Sequence, residues 1–150
     1  MTNFKMQWKH DDGGRAAAGF VGNPGDCVTR SIAIISEVPY REIYDAINVE
    51  STRERPVRRR GRSSARNGVK KATIRRYLKS LGYIWTPTMF IGSGCKVHLR
   101  ANELPSGRLI VSVSKHLTAV INGVIYDTHD PSRNGIRCVY GYWHQRRVEK

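Results

Sequence analysis

Apolar residues recur along this chain in two rhythms, and the change comes at Gly82. Before it the spacing is helical. Cys27 to Ile35 is an apolar, helix-length run, entered through Gly22-Asn23-Pro24-Gly25 with Asp26 placed as N-cap. After Val38-Pro39, the residues Tyr40, Ile43, Tyr44 and Ile47 fall at i, i+3, i+4 and i+7, one face of a second helix. A third helix is expected over Lys71 to Leu81, with Ile74, Leu78 and Leu81 on one face and Gly82 as its stop. Beyond Gly82 the runs are short and rich in β-branched and aromatic residues: 83–91, 95–99, 109–113, 116–121, 124–127 and 136–142. Turn residues separate them, and Asn122-Gly123 is the strongest hairpin signal in the chain. Residues 1–9 are expected to form a short edge strand or a tail packed by Phe4 and Trp8, and residues 10–26 a loop. Helices first and an antiparallel sheet second place the chain in the α+β class, with N-terminal helices packed on a C-terminal antiparallel sheet. At 150 residues one domain is expected, and 39% hydrophobic residues allow a modest core.

Charge modifies this picture in one place. The formal net charge is +14, and twelve of the 26 Lys and Arg lie between Arg53 and Lys79, where Glu54 is the only acidic residue. Residues 51–68 have no apolar periodicity and read as an exposed, Arg-rich loop. Arg58, Arg59, Arg60, Arg62 and Arg66 are its candidate contacts to a polyanion such as nucleic acid, because arginine forks match phosphate oxygens. A solvated loop is the plainest reading of the segment, and a flap that closes over the active site and recruits an acidic substrate is a third, after the polyanion contact. No zinc-finger spacing, RNA-binding aromatic signature or phosphate-loop motif accompanies them, so this reading rests on charge alone. No apolar run reaches the length of a membrane span, and the first residues lack the apolar stretch of a signal peptide. A cytoplasmic protein without membrane partners is expected. Three widely spaced cysteines, Cys27, Cys95 and Cys138, suit reduced thiols better than a disulfide framework.

The candidate chemistry lies at Cys27 and His116. Cys27 opens the first apolar helix, where the positive end of the dipole and free backbone N–H groups favour thiolate over thiol. The same N–H groups can stabilise an oxyanion. His116 opens the strand that runs into Asn122-Gly123, and Asp127 ends the returning strand. A hairpin turning there sets His116 roughly opposite Tyr126–His129, within reach of Asp127 and Asp130. Asp127 is preferred because it is still on the strand, whereas Asp130 belongs to the Asp130-Pro131 turn. His116 would take the thiol proton and return it to a leaving group, and the carboxylate would hold the imidazole tautomer.

A cysteine at a helix start, followed by a histidine and a polar residue on adjacent strands of a later sheet, resembles the papain-like cysteine peptidases. The short hairpin spacing is similar to their compact bacterial branches, those of cell-wall amidases and bacteriocin-processing peptidases. The resemblance spans Gly25 to Tyr142. It implies a papain-like fold and a peptidase or amidase acting through a thioester without a cofactor. Cys27 would be the nucleophile, His116 the base and Asp127 the orienting group. The family's oxyanion glutamine lies about six residues before the cysteine. Val21 stands there in this chain, which leaves Asn23, or the Cys27 N–H with another donor.

Other readings compete. A basic nucleic-acid-binding or virion/host-interaction protein could use the same scaffold without activity, and a transferase could trap the thioester with an amine. His116, Asp127 and His129 could ligate a metal, but that leaves Cys27 without a role, so no metal is expected. Cys95 and Cys138 read as packing residues, His10, His98 and His144 as surface histidines without partners, and Asp26 as a simple cap. Tyr126, Tyr140, Tyr142 and Trp143 read as sheet packing rather than a base-stacking platform.

Overall fold

The structure is a computed structural model that describes residues 6–21, 25–54 and 62–145. Strand β1 (Gln7–His10) precedes helices α1 (Cys27–Ser36), α2 (Tyr40–Ser51) and α3 (Lys71–Ser80). Strands β2 (Tyr83–Pro87), β3 (Arg108–Val113), β4 (His116–Ile121), β5 (Val124–Asp127) and β6 (Val139–Gln145) follow. The class is α+β: after β1 the three helices precede the other five strands, and the described strands form a six-stranded sheet in the order β1-β5-β4-β3-β6-β2. Among the described residues, no helix is long and apolar enough to cross a membrane.

The sheet is mixed and not antiparallel throughout, because β1 runs parallel to β5. The expectation of an edge strand near the N-terminus therefore holds for Gln7–His10, but its partner is the returning strand of the hairpin. Trp8 Nε1 and the Asp11 N–H both donate to the Asp127 carbonyl, each at 3.0 Å, so β1 fixes the end of β5. Asn122 and Gly123 both have positive φ, 48° and 78°, the pair of left-handed conformations that a two-residue hairpin turn requires. The resulting register pairs Ala119 with Tyr126 and Ile121 with Val124.

Both faces of the sheet are covered, which explains why β3 and β4 read as nearly continuous apolar runs. Ile110, Leu117, Ala119, Tyr83 and Trp143 pack toward the helices against Val28, Ile32, Ile35, Ile43, Ile47, Ile74 and Leu78. Leu109, Val111, Val113, Val120, Ile125 and Val139 pack on a second cluster closed by Met6, Leu99 and Leu104. The run 95–99, expected as a strand, contributes only an isolated bridge between His98 and Cys138, and the last strand begins at Val139 rather than Ile136.

Two expectations for side chains are corrected. Cys95 and Cys138 are not separate reduced packing residues: they form a disulfide with Cα atoms 5.8 Å apart, leaving Cys27 as the free cysteine. Nor are His98 and His144 without partners. His98 Nδ1 lies 3.2 Å from Glu103 Oε1, and His144 Nε2 lies 3.0 Å from Thr86 Oγ1. The Arg-rich loop also differs from expectation where it is described. Ser63 and Ala65 are buried, and Ala65 is held at both its backbone groups, by Asn48 Oδ1 (3.0 Å) and Thr29 Oγ1 (2.7 Å). Arg62 is exposed and Arg66 donates to the Val21 carbonyl at 3.4 Å. Arg58, Arg59 and Arg60 lie outside the described residues, as does Asn23.

Candidate active site

Cys27 is the first residue of α1, and its side chain meets the N-terminal end of β4. His116, the first residue of β4, shares the cleft wall with Cys27 and is hydrogen-bonded to Asp127 on its other side. Nε2 of His116 is 2.7 Å from Asp127 Oδ2, so Nδ1 is the nitrogen left for the thiol. The three residues expected from the sequence thus converge, although 89 positions separate Cys27 from His116. Asp130 is not in this set. Its Oδ1 accepts from the Ser132 N–H (2.9 Å) and hydroxyl (2.7 Å) and shapes the following turn.

The electrostatics favour an ion pair. Burial pushes the Cys27 thiol up, but the hydrogen bond and charge of His116, the Leu117 N–H and the Arg30 charge outweigh it and hold the thiol below its ordinary value. Burial pushes His116 down, yet bonds to Asp127 and Cys27 and both their negative charges raise it to about 9. Burial raises Asp127, and the His116 bond, the Thr118 hydroxyl, the His116 charge and the Thr128 N–H lower it on balance. A Cys27 thiolate formed below pH about 9 therefore faces an imidazolium. The sign for stability follows. The contribution of His116 is lost as pH rises through about 9, and that of Asp127 is lost as pH falls through its depressed value.

Four residues of the site were not anticipated in these roles. Thr118 Oγ1 donates to Asp127 Oδ2 at 2.7 Å, because the hairpin register carried one step past Ala119–Tyr126 sets Thr118 beside Asp127. Arg30, on the turn of α1 after Cys27, is buried between Asp26 Oδ1 and Asp127 Oδ1, 3.5 Å from the latter. Asp26 holds the expected N-cap position, with its carbonyl accepting from the Arg30 N–H at 3.0 Å, but its side chain makes no bond to the helix backbone and the residue is 1% exposed. It accepts from the Tyr40 hydroxyl (2.5 Å), from Arg30 and from Arg15 (3.5 Å). Gly13 makes this possible. Its φ is +71°, and a Cβ there would lie 2.9 Å from the Arg30 carbonyl, so only glycine lets the 11–20 turn cross α1 this closely.

The group opens into a cleft of about 920 Å³ lined by Cys27, His116, Gly25, Asn67, Gly68, Val69 and Ser112, among others. Cations dominate its rim: Lys71 and Lys115 are exposed and have no carboxylate partner among the described residues, while Asp12 is the acidic residue in the lining. Asp12 is itself engaged by the Gly14 and Ala16 N–H groups of its own turn.

The same residues bear on the metal alternative. Ligand atoms of His116, Asp127 and His129 lie within 4.8 Å of one another. Both Asp127 oxygens, however, already accept from His116, Thr118, Thr128 and Arg30, and the Arg30 charge at 3.5 Å opposes a second cation on that carboxylate. The arrangement suits a proton-transfer group better than a metal-ligand set. No protein-family model, curated protein or solved structure matches this chain.

Proposed function

We propose that this protein is a cysteine peptidase or amidase on a papain-like scaffold. The carrying observation is that His116, bonded to a buried carboxylate, lines the same cleft as a helix-start thiol. Cys27 thiolate attacks an amide carbonyl, the C–S bond forms, and the oxyanion faces the N-terminus of α1. The C–N bond then breaks as His116 gives its proton to the departing amine. A water attacks the thioester, His116 takes the water proton, and the acid leaves with Cys27 restored as thiolate. The candidates for oxyanion donors in this reading are the Cys27 N–H with another donor, or Asn23, which lies outside the described residues. Amine in place of water would make the same site a transferase.

The test is selective labelling. A thiol-directed alkylating probe should modify Cys27 across the pH range between its depressed value and about 9, with the rate of an amide-hydrolysis assay falling on either side. Labelling no faster than a free thiol would overturn the reading. The same mass spectra count thiols. A cytoplasmic setting and a formed Cys95–Cys138 bond pull against each other, because reducing pools keep most cytosolic thiols free. Finding one thiol before reduction and three after it would argue against the cytoplasm.

Substrates with negative charge beside the scissile amide fit the rim formed by Lys71 and Lys115. Replacing both with glutamate should lower kcat/KM for acidic peptides about tenfold and raise it for basic ones, as like-charge juxtaposition costs binding. The second reading, a nucleic-acid-binding protein, draws on the net charge of +14. It expects salt-sensitive retention on a polyanion column without selective labelling of Cys27.

A further inference from the structure

We infer that Arg30, held between Asp26 and Asp127, is the positioning residue that sets both the distance and the charge balance between the Cys27 helix and the His116 strand. This rests on the peptidase reading above. Arg30 is 7% exposed, and its two guanidinium nitrogens reach carboxylates on different elements. Asp26 immediately precedes the nucleophile, and Asp127 is the partner of the base. One planar fork thus ties the start of α1 to the end of β5, a task that a single-point cation would do with less geometric definition.

The alternation of sign gives the bridge an electrostatic role as well. Arg30 draws on the Asp127 carboxylate through Oδ1 while His116 binds Oδ2, so the two cations share one anion. Its charge also favours the thiolate of Cys27. Asp26 moderates Arg30 from the other side. Further charged or titratable groups face this bridge from three directions. Arg15, from the 11–20 turn, and Tyr40, from α2, both touch Asp26. His129, beyond β5, lies 3.9 Å from Asp127 Oδ1. His10, Asp12, Lys71 and Lys115 stand farther out on the cleft wall. Because the last four are on the rim, solvent screens them more than it screens the buried bridge.

Two substitutions separate this role from simple structural support. Arg30→Gln removes the cation, so Cys27 holds its proton to higher pH and His116, no longer sharing Asp127, does the same. Asp26→Asn removes the moderating anion, leaves the full Arg30 charge on Cys27 and Asp127, and moves both transitions down. The experiment is the pH dependence of Cys27 alkylation by iodoacetate, an anion whose reaction rises as the thiolate forms and falls as the His116 imidazolium charge is lost, followed from acid to alkaline pH for each variant, with melting temperature and circular dichroism measured alongside. The expected result is a displacement of both limbs by about half to one pH unit, upward for Arg30→Gln and downward for Asp26→Asn. Arg30→Lys, which keeps the charge but not the fork, should hold the wild-type limbs while lowering the maximal rate. Shifts in the same direction, or unshifted limbs with a lower amplitude, would overturn the proposal. If Arg30→Gln does not fold, Asp26→Asn and Arg30→Lys decide alone: an unshifted Asp26→Asn profile, or an Arg30→Lys profile displaced like a charge loss, overturns it. A wild-type Cys27 with no enhanced reactivity would instead sink the peptidase reading and leave no limbs to compare.

Discussion

His116→Ala is expected to lower the rate of amide hydrolysis by at least about 10³-fold, because it removes the proton carrier and the cation that keeps Cys27 ionised. The two roles are separable in one measurement. Alkylation of Cys27 in the variant should require a higher pH than in wild type, since the His116 hydrogen bond and charge are what offset thiol burial. Asp127→Ala should follow at about 10²-fold, as the imidazole loses the 2.7 Å bond that orients it. Asp130→Ala should change the rate less than twofold, because its carboxylate serves the Ser132 turn. Single-turnover kinetics of the purified variants on the same amide check all three. A His116→Ala protein with wild-type rate, or an Asp130→Ala defect larger than that of Asp127→Ala, would be incompatible with the assignment. The Asp127 variant also leaves Arg30 with one carboxylate fewer, so its melting temperature should be reported with its rate.

The largest expected effect on stability comes from Ile110→Ala. Ile110 is fully buried on β3, flanked in register by Ala119 on β4 and Trp143 on β6, and packs toward the helices. A small neighbour on one side and a rigid ring on the other leave little to relax into the space, so the cavity persists. The cost should be about 2–5 kcal/mol, or a melting temperature lower by roughly 10 °C, read by thermal and urea denaturation. Ile91→Ala is the control: that side chain lies fully in solvent and should shift stability by less than about 0.5 kcal/mol. If the two variants melted together, the packing of the sheet against the helices described above would be wrong.

What the sequence by itself determined was the local part of this protein. The apolar period of α1, the Gly82 stop and the Asn122-Gly123 turn depend on neighbours within a few residues, so their residue types specify them without knowledge of the rest of the chain. The period-two register of the hairpin carried that reading as far as His116 facing Asp127, and β4 and β5 have the bounds expected of them. The pairing of Cys27 with His116 was reached through the order of elements shared with a known family, and tertiary structure decided the other meetings of distant segments. Nothing in the four exposed residues of β1 announces that they pair parallel to β5, because the pairing is set by the partner strand and not by a pattern of their own. The Cys95–Cys138 bond depends on the segment before His98 lying against the start of β6. Along α1, Asp26 and Arg30 have the i, i+4 spacing of an ordinary surface ion pair. Only the Gly13 turn, Tyr40 and Asp127 closing around them make the pair a buried bridge, since burial depends on which elements pack on a helix and not on the spacing of residues along it.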